Sequence, residues 1–265
     1  MEHCDTASVG FEITSPSNER IKRLVRLRDR KHRDEEGVFV VEGSRLYQRA
    51  LDAGLAPEVT FVSDPAIGGV GETVTVAPEV LDKASYRARS QGLIAVFGQL
   101  ETALEDFDTG SDPLFLIAEN TEKPGNLGAM CRTAAAAGVD AVFTVGDTVD
   151  RWNPNAVRSS TGAIFSLPVV ATSWDELESW VKDRGIRLVA ASPDGGTTLW
   201  QTDLNGPLAV VVGAEDEGLS ERAQSIAHHL VAIPQAETGV DSLNASVAAA
   251  VVLFEAVRQR SSGGG

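Results

Sequence analysis

The sequence predicts an α/β protein in two parts, a larger C-terminal domain built on a mostly parallel sheet and a smaller α/β domain before it. Three observations lead there. Short runs rich in Val, Ile, Leu and Phe alternate with stretches of helical periodicity from Val38 onward. Several of these runs end in a polar or glycine-containing loop that opens straight into a helix, the order of elements that parallel strands require. At 265 residues the chain is long for one minimal domain and short for two average ones, so modules of about 100 and 150 residues are the natural division.

Residues 1–12 read as a loose tail. Ser15-Pro16-Ser17-Asn18 then offers caps to one basic helix with Ile21, Leu24 and Val25 as its apolar stripe. Strands are expected over 38–41, 59–62, 73–76 and 93–97, with helices over 45–53, closed by Gly54, and over 78–83. The first domain, residues 13–100, is therefore expected to be a small sandwich with a mostly parallel sheet of its own. Residues 101–113 are acidic with Thr, Gly, Ser and Pro and read as a linker. From 114 to 260 strands are expected near 114–118, 141–145, 169–170, 187–191, 208–212 and 230–233. Ser173 and Glu176 have capping-box spacing, and Pro154 after Asn153 suits the first position of a helix. Alternation alone would fit a Rossmann-type sheet.

The net charge is −15, but it is uneven. Between positions 20 and 33, Arg20, Lys22, Arg23, Arg26, Arg28, Arg30, Lys31 and Arg33 face only Asp29, which makes this segment +7 and leaves −22 for the remainder. A polyanion would be repelled by most of this surface, so phosphate contacts are expected on that segment. No apolar run approaches the roughly 20 residues of a membrane span, and the polar N-terminus lacks a signal-peptide layout. Cys4 and Cys131 offer neither a disulfide framework nor metal-ligand spacing. The expectation is a cytoplasmic, metal-free protein. His228 and His229 read as surface residues, and Trp152, Trp174, Trp180 and Trp200 as packing groups.

Three segments carry the chemistry. Asn126 is followed six positions on by Arg132; Gly213-x-Glu215-x-x-Gly218 follows the apolar run 208–212; and Ser242-Leu243-Asn244-x-Ser246-x-Ala248 follows the run ending at Ile233. Each sits where a helix begins, and the first turn of a helix leaves backbone N–H groups free to meet a ligand. The loop at 213–218 is acidic and lacks the Gly-Lys-Ser/Thr ending of a phosphate loop, so it suits a cationic or hydroxyl-bearing ligand. No Gly-x-Gly-x-x-Gly turn follows the first strand, which removes the main sign of a dinucleotide-dependent oxidoreductase. In this order, the segments resemble the three signature motifs of the SpoU (TrmH-like) branch of the SPOUT superfamily, the S-adenosylmethionine-dependent RNA ribose 2'-O-methyltransferases. The match spans about residues 114–259. The stretch 15–43, with Arg30-Lys31 and Val40-Val41-Glu42-Gly43, is similar to the L30e-like RNA-binding domain that many of these enzymes carry.

The resemblance implies a trefoil-knotted SPOUT domain, S-adenosylmethionine as cofactor, and 2'-O-methylation of structured RNA. Ribosomal RNA of the 23S type is expected, because the shortest tRNA-type relatives lack the N-terminal domain. A tRNA methyltransferase, or a non-catalytic RNA-binding or ribosome-assembly factor keeping the fold, are the alternatives; loss of Arg132 or Asn244 would have favoured the last, and both are present. The resemblance also implies a homodimer, with the apolar run 247–254 of the last helix near its interface.

Residue by residue, it implies that Arg132 is catalytic. A guanidinium stays charged in proteins, so we expect Arg132 to bind the 2'-hydroxyl and stabilise the developing oxyanion, with the proton leaving to phosphate or water. Gly128, one turn earlier, is expected to leave room beside Arg132 for substrate. Asn126, Glu215, Ser242 and Asn244 complete the active site, with plain helix capping as the alternative for Asn126, Ser242 and Asn244. Gly213, Ile233 and Leu243, with Glu215 and Ser242, are expected to hold the cofactor. Arg158, together with Arg20, Arg23, Arg26, Arg30 and Lys31, is expected to contact RNA.

Overall fold

A computed structural model describes residues 11–104, 107, 110–146, 150–236 and 242–262. The expected tail falls mostly, and the expected linker partly, outside these residues. The chain divides into two compact units, residues 1–99 with 152–154 and residues 100–151 with 155–265.

The first unit begins with α1 (Glu19–Arg26), capped by the Asn18 side chain on Arg20 N at 2.9 Å. The single basic helix expected from the sequence is in fact two, because α2 (Arg30–Glu36) starts afresh after a turn. Arg33 explains the break. Its side chain is buried and its Nη1 donates to the carbonyls of Leu27 and Arg28, both at 2.6 Å, which satisfies acceptors that the end of α1 leaves open. Ile21 and Leu24 enter the core as expected, whereas Val25 remains 39% exposed.

Then come β1 (Val38–Glu42), α3 (Ser44–Asp52), β2 (Pro57–Val62), β3 (Thr73–Thr75), α4 (Pro78–Ala84) and β4 (Leu93–Gly98). The sheet order is β1-β4-β2-β3. It is not mostly parallel: β4 runs antiparallel to both β1 and β2, and only β2 and β3 are parallel. The loop 85–92 is the reason. It brings the chain back to the C-terminal ends of β1 and β2, where Gly43 N donates to Leu93 O at 3.0 Å and Ser63 N to Gly92 O at 2.9 Å, so β4 can only leave in the opposite direction.

The second unit contains β5 (Leu114–Glu119), α5 (Pro124–Ala136), β6 (Ala141–Val145), α6 (Pro154–Ser159), β7 (Val169–Thr172), α7 (Trp174–Asp183), β8 (Arg187–Ala191), β9 (Thr197–Thr198), β10 (Leu208–Val212), α8 (Glu221–Ile226), β11 (His229–Ala232) and α9 (Ala245–Ser262). All its strand pairs are parallel, in the order β7-β6-β5-β10-β8-β11-β9. The central strands β5, β6 and β10 are buried along their whole length, which fits continuous apolar runs covered on both faces. Phe115, Phe143, Trp180 and Val211 belong to one core cluster on this sheet. The two-residue β9 was not expected; its threonines carry no apolar pattern.

The capping box of Ser173 and Glu176 on α7 is present, and Pro154 does begin α6. Trp152, Trp174 and Trp180 are packing groups, but Trp200 is 54% exposed and is not. His228 and His229 are both exposed, as expected, although His228 Nδ1 also accepts from Leu188 N at 3.1 Å, and His229 opens β11. Among the described residues, no helix is long and apolar enough to cross a membrane.

Candidate active site

In a parallel sheet the loops at the strands' carboxyl ends gather on one side, and a ligand crevice forms there. The loops after β8, β10 and β11 do so here. They enclose a cavity of about 350 Å³ lined by Ser192 and Asp194, by residues 212–219, by Ile233 and Gln235, and by Ser242 and Leu243 at the approach to α9. All five residues expected to hold the cofactor, Gly213, Glu215, Ile233, Ser242 and Leu243, line this one cavity. Asp194, Glu215, Asp216 and Glu217 make it acidic, as a cationic ligand requires.

Asn126 sits in the first turn of α5, but Lys123 occupies the cap position and Asn126 does not cap the helix. Its side chain is spent on tertiary contacts instead. Asn126 Nδ2 donates to Glu215 Oε1, and Asn244 Nδ2 donates to Asn126 Oδ1 at 3.3 Å. Asn244 also does the capping work at α9, where its Oδ1 accepts from Ser246 N at 3.0 Å and Ser246 Oγ at 2.6 Å. One residue from each of the three sequence segments thus joins a single hydrogen-bonded chain, Asn244 to Asn126 to Glu215. The other Glu215 oxygen, Oε2, is shut off from solvent and has no hydrogen-bond partner among the described residues. A buried acceptor left in that state is costly unless a ligand donates to it.

Packing holds the frame still. α5 lies against α9. The far end of α9 is tied down by Gln259, which accepts from Leu204 N at 2.9 Å and donates to Thr202 O at 3.0 Å, and by Arg260, which donates to Asp112 O at 2.9 Å and Pro113 O at 3.2 Å.

Two glycines are required by close packing, Gly128 for a different neighbour than expected. A Cβ on Gly128 would stand under 3.0 Å from Ser159 Oγ and Ala156 O, and 2.8 Å from Ser160 N. The absent side chain therefore makes room for the backbone of α6, not for substrate, and lets α6 with Arg158 pack on the helix that carries Arg132. A Cβ on Gly213 would meet Gly218 O, Gly218 C and, at 2.6 Å, Leu219 N. Gly213 is thus needed to close its own loop, which is pinched by Ala214 N donating to Gly218 O at 3.0 Å and Gly218 N to Ala214 O at 3.1 Å.

Arg132 and Arg158 are both exposed, and neither side chain has a hydrogen-bond or ion-pair partner among the described residues. α5 buries Leu127, Gly128, Met130, Cys131 and Ala134, so Arg132 lies on its outer face with the half-buried Asn126, Ala129 and Thr133. Burial pushes the Cys131 thiol up to about 12.

The basic segment of the first unit is largely neutralised in space. Arg20 pairs with Glu72 at 2.6 Å, Arg23 with Glu36 at 2.6 Å and Glu58 at 3.0 Å, Arg30 with Asp34 at 3.2 Å and Lys31 with Glu35 at 3.7 Å. Arg28 is turned onto the carbonyls of Lys83 and Ser85, and Arg33 is buried. Arg26 remains exposed and forms no ion pair among the described residues. A linear count of charge could not see these carboxylates, which come from β2, α2 and the 72 position.

Sequence reasoning missed Ser192, Asp194 and Gln224 as lining residues. No motif contains them; the signal that could have found Ser192 and Asp194 is their place just past β8. Among the described residues, no group of three or more His, Cys, Asp or Glu side chains could hold a metal ion.

Comparison with known proteins agrees with this geometry. Residues 113–254 match the SpoU rRNA methylase family, and residues 18–95 match an MRM3-like substrate binding domain. The chain is 37% identical to the 23S rRNA (guanosine-2'-O-)-methyltransferase RlmB of Escherichia coli (strain K12), over 69% of this chain and 77% of that one. It is similar to the crystal structure of an RNA 2'-O ribose methyltransferase, with 41% identity and a TM-score of 0.82 over 93% of this chain and 98% of the other. It is also similar to the SpoU methyltransferase AviRb of Streptomyces viridochromogenes in complex with AdoMet, with 29% identity and a TM-score of 0.85 over 92% and 99%. With the family model covering more than half of its length, the chain belongs to the SpoU rRNA methylase family.

Proposed function

We propose that this chain transfers a methyl group from S-adenosylmethionine to a ribose 2'-hydroxyl of ribosomal RNA, of the 23S type. The hydrogen-bonded chain Asn244–Asn126–Glu215 beside the acidic cavity carries this reading, because it joins all three sequence segments at one ligand-sized space. The donor set fits the cofactor: a sulfonium and an ammonium group suit Asp194, Glu215, Asp216 and Glu217, and the unpaired Glu215 Oε2 suits an N–H or O–H donor. When bound, S-adenosylmethionine supplies an electrophilic methyl group.

The protein's part is placement and charge. Asn126 and Asn244 hold Glu215, and the loop 213–218 with Ile233, Ser242 and Leu243 encloses the adenosyl and methionine parts. Arg132, which has no ion-pair partner among the described residues, receives the ribose hydroxyl and stabilises the oxyanion as the proton passes to phosphate or water. Arg158 binds backbone phosphate near it. On the first unit, Arg26 forms no ion pair among the described residues, and Arg30 and Lys31 in weak exposed pairs can exchange a carboxylate for a phosphate. Arg20 and Arg23 contribute less than their position in the sequence suggests, since both are engaged.

The protein acts in the cytoplasm as a homodimer. Val247 and Phe254, 45% and 48% exposed, lie with Val251 along one side of α9 and form the apolar stripe of that interface. Light scattering at micromolar concentration tests this, and a monomer refutes it.

Purified protein incubated with labelled S-adenosylmethionine and ribosomal RNA should incorporate methyl groups at a mapped 2'-O position. Arg132→Ala should fold and bind cofactor normally and lose at least about 100-fold in single-turnover rate. Methylation of tRNA alone would move the substrate, and a near-parental rate for Arg132→Ala would remove its catalytic role.

A further inference from the structure

Glu119 ends β5 and is 1% exposed. Among the described residues it forms no ion pair. Its Oε1 accepts from Trp174 Nε1 at 2.6 Å and from Ser220 Oγ at 2.6 Å, and its Oε2 accepts from Ser220 N at 2.9 Å. Such a buried carboxylate is tolerated only because three donors replace water.

Where those donors come from gives the arrangement its meaning. Ser220 stands two residues past Gly218, at the end of the cavity loop, and its Oγ also caps α8 by accepting from Ala223 N at 3.1 Å. The loop's other end is fixed in β10, so Ser220 is the point at which its return limb is fastened. Glu119 in turn leads into the segment that starts α5 at Pro124 and presents Asn126 to Glu215. One buried carboxylate therefore spans the two segments whose side chains must meet.

We propose that Glu119 is a positioning residue for the methyltransferase site: by clamping Ser220 it holds the loop 213–218 in the shape that receives S-adenosylmethionine and sets Glu215 against Asn126. The inference rests on the assignment of this loop to the cofactor.

The charge is needed because of the donor count. Glutamine at 119 has one acceptor oxygen. With that oxygen toward Trp174 and Ser220 Oγ, its amide N–H would face Ser220 N–H; flipped, it would face Trp174 Nε1–H. Either way two donors oppose each other and the clamp opens, while volume is kept. A loop that is closed only part of the time lowers apparent affinity by the closed fraction.

Three variants test this by calorimetric titration with S-adenosylmethionine, with melting temperature and single-turnover rate at saturating cofactor alongside. Glu119→Gln should raise the dissociation constant by roughly 10- to 100-fold, the range for losing one or two charge-assisted hydrogen bonds, and change the saturated rate by less than about threefold. Ser220→Thr, which keeps the hydroxyl and the N–H, should bind like the parent, and Ser220→Ala should weaken binding even if Glu119→Gln does not fold. Trp174→Phe removes one donor without touching Ser220 and should lower the melting temperature with parental affinity.

A Glu119→Gln protein that melts lower but binds cofactor as the parent does would make Glu119 a plain structural pin. Equal loss of affinity in Trp174→Phe would also overturn the proposal, since the effect would then be general softening. If Gly213→Val leaves binding unchanged, the cofactor assignment of the loop fails first, and independently of Glu119.

Discussion

Replacing Gly213 by alanine tests whether the cavity loop depends on the contact between its own two ends. The added Cβ would lie under 3.0 Å from Gly218 O and Gly218 C and 2.6 Å from Leu219 N, all backbone atoms that no rotamer change can move aside. Restoring ordinary contact needs an outward shift of about 1 Å, and overpacking of that kind costs about 1–3 kcal/mol. The shift also strains the two hydrogen bonds between Ala214 and Gly218, at 3.0 and 3.1 Å, each contributing about 1 kcal/mol net. Together they come to about 3 kcal/mol. If the loop opens locally, that appears as an approximately 100-fold weaker affinity for S-adenosylmethionine. If it cannot, a melting temperature lower by about 6–12 °C follows for a unit of this size. Calorimetric titration and a thermal scan on the same preparation separate the two. Gly218→Ala is the control: its φ is +70° with nothing within 4 Å, so only about 1 kcal/mol of backbone strain is expected. Parental affinity together with a parental melting temperature in Gly213→Ala would show that the close approach carries no weight.

Three more outcomes are expected. Gly128→Ala should push α6 away from α5, cost about 1–3 kcal/mol in denaturant unfolding and slow methylation through Arg158, and a fully active, equally stable variant would contradict the packing described. Cys131, with its thiol pushed up to about 12 by burial, should resist a thiol reagent at pH 8 until urea is added, as followed by peptide mass; labelling in the native protein at a free-thiol rate would mean the helix opens. Glu255 is held down to about 2, chiefly by its hydrogen bond from Arg258, so its contribution is present above about pH 4.5 and is lost as the pH falls toward 2. Glu255→Gln should cost about 1 kcal/mol at pH 7, a small figure because Arg258 is mostly exposed, and the gap to the parent should narrow by pH 3; a constant gap would rule out the carboxylate charge as the cause.

Much of this site could be read from the chain because its information is local. A strand end, a loop and a helix start are contiguous in sequence, so Asn126, Glu215 and Asn244 were identifiable before their contacts were known. The parallel sheet of the second unit was legible for the same reason, from long apolar runs at β5 and β10. What failed depended on long-range placement. The direction of β4 is decided by where loop 85–92 delivers it, and the ion pairs of Arg20 and Arg23 depend on Glu36, Glu58 and Glu72, which only folding brings beside them. Gly128 was noticed for the right position and the wrong neighbour, since a missing side chain does not say what fills the space.

The position of β10 has a consequence for the order in which the protein is made. β10 lies between β5 and β8, pairing Leu208 with Leu114, so one edge of the buried β5 has no partner until the ribosome has passed residue 212. At a synthesis rate of about 5–20 residues per second, that edge waits roughly 5–20 s, while the four strands of the first unit are already complete at Gly98. An uncovered hydrophobic strand edge is a template for wrong pairing. Nascent chains stalled between β8 and β10 should therefore be the aggregation-prone and chaperone-bound species, and the cavity cannot exist in any of them, because its loop hangs from the strand that arrives last in the centre.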